Sequence, residues 1–259
     1  PPPEILDEYQ INLQNPKLNL DQNNSSIIYL QNFRSKNALY EGVVKPSKKP
    51  TQKIDLQFNT IFKITKLMKD IFKYYFYKYY LDNHISNPLV KAFYLGIYNP
   101  FNAMKMNRYL SKRYLDKKKL NKIKYVFFPM HTEPEVSLLV YGKPFINQIE
   151  LIRIISMNLP IDTYLVVKDH PWMIGKRSLK SYKKILNIPK VRIAKPNFTA
   201  RELIENSSLV MTIASSVSIE AIFLKKPTIT FGMCMSNIFP HFMATKCIDI
   251  KNLNNLINN

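Results

Sequence analysis

The chain has 259 residues, 46% of them hydrophobic, which is enough for one large domain or two small ones. Its formal net charge is +20, and the first 125 residues hold 22 of the 38 Lys/Arg but only 9 of the 18 Asp/Glu, a field that draws phosphates of any kind. Two cysteines, no C-x-x-C pair, no apolar run near the ~20 residues that span a bilayer and no opening signal pattern argue against a disulfide scaffold, a zinc module and a secreted or spanning chain, and make the cytoplasm the expected location.

The chain opens Pro1-Pro2-Pro3 without a Met and stops at Asn258-Asn259 as a helix begins, so it reads as a fragment. Residues 1–57 show turn formers, the stiff run Lys45-Pro46-Ser47-Lys48-Lys49-Pro50 and one short strand candidate, Ile27–Leu30; they read as connecting or partly disordered chain. From Asn59 to about Leu81, Ile61, Ile64, Leu67, Met68, Ile71 and Phe72 recur at helical spacing. That helix ends in a Lys-, Tyr- and Phe-rich stretch, 72–80, open to two readings: a surface for anionic membrane, or an aromatic stripe packed into a core. A second helix is expected over Ala103–Leu120, overlapping a basic cluster that runs from Lys105 to Lys124 with Asp116 as its one acid.

After Tyr125 the pattern changes. Short apolar runs at Tyr125–Phe128, Thr163–Val167, Val191–Ile193, Leu209–Ile213 and Thr228–Phe231 alternate with helical segments at Ile146–Met157, Leu179–Leu186, Ala200–Asn206 and Val217–Leu224. Strands spaced by helices predict βαβ units and an α/β fold with a parallel sheet covered on both faces. Ligands of such sheets bind at the carboxyl ends of the strands, so the residues that follow each strand are the candidates.

Three clusters qualify. The first strand is followed by His131, Glu133 and Glu135, two carboxylates and an imidazole within five residues, able to position a hydroxyl or move a proton. The second is followed by Lys168-Asp169-His170-Pro171, where proline stiffens the turn and His170, with Lys168, Lys176 and Arg177 close in sequence, is able to donate to a phosphate oxygen. The fourth is followed by Ser215 and Ser216 at the start of a helix, with open backbone N–H groups beside the hydroxyls, and by Glu220 one turn on, a carboxylate suited to ribose hydroxyls. Each has a bland alternative: a capped loop, a Ser N-cap, a solvated acid. Their convergence on one sheet edge favours a binding site.

In order, Phe128-Pro129-Met130-His131-x-Glu133-Pro134-Glu135, Gly142…Asn147-Gln148, Leu159-Pro160, Val167-Lys168-Asp169-His170-Pro171, Gly175-x-Arg177, Ser215-x-x-x-Ile219-Glu220-Ala221 and Lys226-Pro227-x-Ile229-x-Phe231-Gly232 resemble the capsule polysaccharide biosynthesis family, over roughly residues 125–240. The resemblance implies a GT-B fold: residues 125–259 as a Rossmann-like nucleotide-sugar-binding domain, and 1–124 as a partial, mostly helical or irregular acceptor-side region. It implies transfer of a Kdo-like sugar from a CMP-linked donor, a substrate rather than a cofactor, to a lipid-linked or glycan acceptor. His170, Ser215 and Ser216 would hold the donor phosphate, with Lys168 and Glu220 on phosphate and ribose. Glu133, Glu135 or His131 would serve as base. No Asp-x-Asp metal signature occurs and no metal is expected. The stretch Ala214-Ser215-Ser216-Val217-Ser218 departs from the family in having no glycine, which puts donor identity in question. Alternatives are a polyol-phosphate or sialyltransferase-like enzyme of the same type, or a non-catalytic capsule assembly or export component. Nucleic acid is not an expected partner, because aromatics are not interleaved with the basic cluster. Association with the cytoplasmic face of the inner membrane is the partner expectation attached to residues 72–80.

Overall fold

A computed structural model describes residues 20–35, 59–81 and 86–258. The chain divides into two compact units: one takes in 1–43, 111–173 and 180–259, the other 44–110 and 174–179.

The larger unit is built on a six-stranded, all-parallel sheet: β1 (Lys124–Pro129), β2 (Thr163–Lys168), β3 (Val191–Ile193), β4 (Leu209–Thr212), β5 (Thr228–Thr230) and β6 (Ala244–Lys246), in spatial order β3-β2-β1-β4-β5-β6. This is the strand order of a Rossmann-like doubly wound sheet, and it reverses between β1 and β4. The expected α/β class and parallel sheet are met. β6 is the strand that the sequence hid, because only Ala244 of its three residues is buried.

Alternation along each strand sends Phe127, Val166 and Val210 to one face, where they pack with Leu203, Ile204 and Ala221 of the covering helices. Phe127 and Phe128 are both fully buried, so neighbouring residues of one strand serve the two opposite faces, and each contributes roughly 2–3 kcal/mol of burial. In this unit α1 (Leu20–Arg34) lies against α8 (Ala200–Asn206) and α9 (Val217–Phe223). Phe33 and Tyr29 meet Phe223 edge-on, and Arg201 donates to the Phe33 and Arg34 carbonyls. The strand candidate Ile27–Leu30 is therefore helical: it sits inside α1, which is held by α8 and α9 rather than by local sequence. The irregular reading of residues 1–57 is thus corrected to helix over Leu20–Arg34, and what remains of it beyond residue 35 or before residue 20 lies outside the described residues.

The smaller unit is helical: α2 (Asn59–Phe76), a single turn at Tyr79–Leu81, α3 (Pro88–Phe93), a wide turn through Tyr94–Tyr98 and α4 (Asn99–Leu110). Asn102 ties α4 to the 174–179 segment, donating to the Gly175 and Arg177 carbonyls at 2.7 and 3.1 Å. The expected helix Ala103–Leu120 is broken. Leu115 leaves it to donate its N–H to the Ile193 carbonyl, alongside β3, and Asp116 then caps a new short helix, α5 (Lys117–Leu120), by accepting from the Lys119 N–H. Among the described residues no helix is long and apolar enough to cross a membrane.

The remaining helices follow the sequence pattern. α6 (Gln148–Asn158) follows β1, capped by Asn147, and α7 (Leu179–Leu186) follows β2. α8 follows β3 behind a capping box made by Thr199 and Glu202, α9 follows β4, and α10 (Leu253–Asn258) closes the described chain.

Candidate functional site

The strand order reverses between β1 and β4, and sheets of this kind bind ligands in the region outside the carboxyl ends of those strands. The β1 loop enters it through His131, only 6% exposed. The main chain there is held by Gln148 at the head of α6: its amide accepts the His131 N–H at 2.7 Å and donates to the His131 carbonyl at 3.2 Å and to the Glu133 carboxylate. The imidazole is gripped from both sides. Nε2 accepts the Ala214 N–H from the β4 loop at 3.2 Å, while Nδ1 faces the Glu135 carboxylate at 3.3 Å and the Ser137 hydroxyl at 3.4 Å. An acceptor at Nε2 puts the proton of the neutral ring on Nδ1, where Glu135 receives it.

Burial holds the His131 imidazole below its ordinary pKa against the upward pull of Glu135, and the charge of His170 depresses it further. Burial alone would raise Glu135, but hydrogen bonds from Thr132 and Ser137 and the charge of His131 outweigh it, and the carboxyl titrates below its usual range. His131 is therefore harder to protonate than a free imidazole, and pinned. Glu133, by contrast, is exposed.

The β2 loop is shaped by Asp169, which accepts the His170 N–H at 2.8 Å and the Tyr182 hydroxyl. His170 Nδ1 accepts the Trp172 N–H at 3.2 Å, and the indole stands edge-on to the exposed imidazole at 5.7 Å. That bond fixes Nε2 as the proton-bearing nitrogen of the neutral ring. Lys168, the last residue of β2, is held below the usual lysine range by burial, which the charge of Asp169 only partly offsets. Burial and the charge of Asp169 push Tyr114 up to about 12.

In the β4 loop three of the N–H groups at the start of the helix are already engaged. Val217 donates to Ser215 Oγ at 3.3 Å, Ser218 to the Ser215 carbonyl at 3.1 Å and Ile219 to the Ser216 carbonyl at 3.0 Å. The turn also presents two hydroxyls: Ser215, half-buried, and Ser216, exposed. Glu220 is 8% exposed, and among the described residues its carboxylate has no hydrogen-bonded partner. Burial raises its pKa, with the charge of Arg201 opposing. Thr212, the last residue of β4, keeps a fully buried hydroxyl without a hydrogen bond among the described residues.

The structure thus brings His131, Glu135, His170 and the Ala214–Ser216 turn to one strand edge, with Lys168 at the end of β2. Glu220 lies one turn deeper, toward Arg201. Lys176 and Arg177 belong to the helical unit. Sequence reading missed the clamp itself: Gln148, Thr132 and Ser137, whose part is played through hydrogen bonds no spacing rule reveals. It also missed why the loops fit so closely. A Cβ on Gly142 would lie 2.3 Å from Ile213 Cγ2, and one on Gly232 would lie 2.7 Å from the Tyr141 carbonyl oxygen and 3.0 Å from that of Ile213.

The family model described as capsule polysaccharide biosynthesis protein matches residues 38–239, reaching well upstream of the 125–240 segment whose motifs carry the resemblance. Comparison with curated proteins finds no match. Solved structures with a similar fold include Thermosulfurimonas dismutans KpsC, beta Kdo 2,4 transferase, at 15% identity and a TM-score of 0.40, with 61% of this chain and 54% of that one covered. The T. dismutans KpsC beta Kdo 2,7 transferase is 18% identical, with a TM-score of 0.36 and coverage of 62% and 60%. A Methanocaldococcus jannaschii UDP-GlcNAc 2-epimerase in complex with UDP-GlcNAc and UDP is 17% identical, with a TM-score of 0.39 and coverage of 62% and 44%. This chain covers less than two thirds of each of these structures.

Proposed function

Because the chain belongs to the capsule polysaccharide biosynthesis protein family, we propose that it is the nucleotide-sugar-binding part of a GT-B-type glycosyltransferase, moving a Kdo-like sugar from a CMP-linked donor to a lipid-linked or glycan acceptor. The observation that carries the reading is the clamp from His131 to Ala214, which locks the β1 and β4 loops together at the strand-order reversal with His170 beside them.

The chemistry follows from the parts. Glycosyl transfer releases a phosphate on which negative charge grows, and fixed donors aimed at that charge lower the barrier; removing one such donor costs on the order of 3 kcal/mol. His170, through Nε2–H, and the hydroxyls of Ser215 and Ser216 are those donors. Lys168 adds charge near them, and the phosphate counters the burial that lowers its proton affinity. Glu220, 8% exposed and without a hydrogen-bond donor among the described residues, receives ribose hydroxyls. The acceptor hydroxyl loses its proton to Glu133, an exposed carboxylate that Gln148 holds in place, while Glu135 engages His131 and His131 engages Ala214.

Calorimetric titration of the chain with CMP, CDP and UDP, beside a His170→Ala variant, tests this. CMP binding that weakens by about a hundredfold in the variant supports the reading. Tighter binding of CDP or UDP removes the CMP assignment, and absence of nucleotide binding by the folded chain removes the donor-site reading.

A further inference from the structure

Among the described residues, the helical unit carries an apolar surface that its own helices leave uncovered. Along α2, Leu67, Met68, Ile71, Phe72, Tyr75 and Phe76 fall on one side at helical spacing, and Lys66, Lys69 and Lys73 on the other. The apolar side is open: Met68, Phe72 and Phe76 are 66%, 57% and 67% exposed, and Phe72 stacks on Phe76 at 4.9 Å in plain view of solvent. The stretch from Pro88 to Leu110 repeats this, leaving Phe93, Leu95, Ile97, Phe101 and Met104 half-exposed or more. Contiguous apolar surface of this kind marks a docking site rather than chance exposure.

Charge names the occupant. The described side chains of residues 65–81 and 86–110 include seven Lys or Arg and one acid, Asp70. A second copy of the same face would meet its own positive charge, which disfavours self-pairing. Tyrosines cluster where α2 ends, at Tyr74, Tyr75, Tyr77, Tyr79 and Tyr80, with apolar ring and polar tip both used at a headgroup boundary. Lys105 lies over the Phe101 ring at 4.6 Å, its amine and an exposed ring together at one surface. We propose that this helical unit docks on an anionic lipid surface, burying the Phe72–Phe76 side of α2 among the acyl chains and setting its lysines against the headgroups. The inference rests on this unit alone and stands apart from the nucleotide reading.

Co-sedimentation of the whole chain with vesicles of phosphatidylcholine, with and without phosphatidylglycerol, tests it. Partition onto the anionic vesicles is expected to be at least about tenfold stronger and to weaken with added salt. Phe72→Ser with Phe76→Ser is expected to reduce it by about tenfold or more, and Lys66→Glu, Lys69→Glu and Lys73→Glu together to abolish the preference for anionic lipid. All five positions are exposed, so both variants keep the fold, which circular dichroism and thermal melting verify. Equal partition onto neutral and anionic vesicles, binding unmoved by either variant, or a dimer in sedimentation velocity that the Phe variant abolishes would each overturn the proposal.

Discussion

His131 Nε2 accepts the backbone N–H of Ala214 at 3.2 Å, joining two loops 83 residues apart in sequence at the point where the strand order reverses. The bond makes the imidazole a pin rather than a base: one nitrogen is spent on the β4 loop and the other on Glu135. His131→Ala leaves the Ala214 N–H and the Glu135 carboxylate short of a partner. A loss of about 1–3 kcal/mol is expected in denaturant unfolding, together with weaker nucleotide binding because Ser215 and Ser216 are no longer held in place. If His131→Ala keeps full stability, the pin is not what orders the loop.

The same pin predicts how stability depends on pH. In the folded chain the His131 pKa lies below its ordinary value of 6.5, so the unfolded chain takes up more protons there, and stability falls as pH drops through 6.5 toward the depressed value. Glu135, also depressed, adds a second loss lower down, as pH falls from 4.5 toward its own folded pKa. Melting temperatures measured from about pH 8 to about pH 5 are expected to decline in the parent chain and to decline less in His131→Gln, which has no imidazole to charge. Parallel curves would assign the decline to other groups.

The βαβ grammar after Tyr125 was legible because strand runs such as Thr163–Val167 and helices such as Leu179–Leu186 bury residues at the period their own sequence displays. Ile27–Leu30 misled for the opposite reason. Its helix is ordered by Phe223 and Arg201, about 170 to 190 residues away, and no local propensity carries that information. The candidate residues stood out in the sequence because His, Glu and Ser after strand ends are conspicuous. Their division of labour did not. That Glu135 and His131 hold each other while Glu133 stays exposed depends on Gln148, Thr132 and Ser137, whose hydrogen bonds have no periodicity to read.

Gly142 and Gly232 are expected to differ under the same substitution. Both admit close approach of the 141–142, 213–214 and 231–233 segments, and the Gly232 N–H reaches the Ile213 carbonyl at 2.8 Å. In Gly142→Ala the nearest obstacle is a methyl of Ile213, a side chain able to shift. In Gly232→Ala the obstacles are the backbone carbonyls of Tyr141 and Ile213, which cannot move without opening the clamp. Gly232→Ala is expected to cost about 2–3 kcal/mol and the Gly142 variant less, as read from unfolding midpoints. The reverse order would mean that the Ile213 side chain, not the backbone, is the rigid element.

Glu220 carries a cost in stability that the proposed nucleotide site would turn to use. Its carboxylate is buried without a hydrogen bond among the described residues, and burial lifts its pKa above the ordinary 4.5. A raised acid destabilises the folded chain at pH values above its folded pKa and ceases to do so once pH falls below its unfolded value. Glu220→Gln is therefore expected to raise stability by about 1 kcal/mol near neutral pH, with the gain fading as pH falls toward 4.5. The same variant loses the charged acceptor that ribose hydroxyls would meet, so nucleotide affinity drops as the melting temperature rises. Arg201→Ala pushes the other way. It removes the opposing positive charge and frees the α1 carbonyls of Phe33 and Arg34, so stability falls and the Glu220 penalty grows. Thermal melts across pH with and without nucleotide separate these effects, and a Glu220→Gln chain that binds nucleotide at full strength would remove Glu220 from the site.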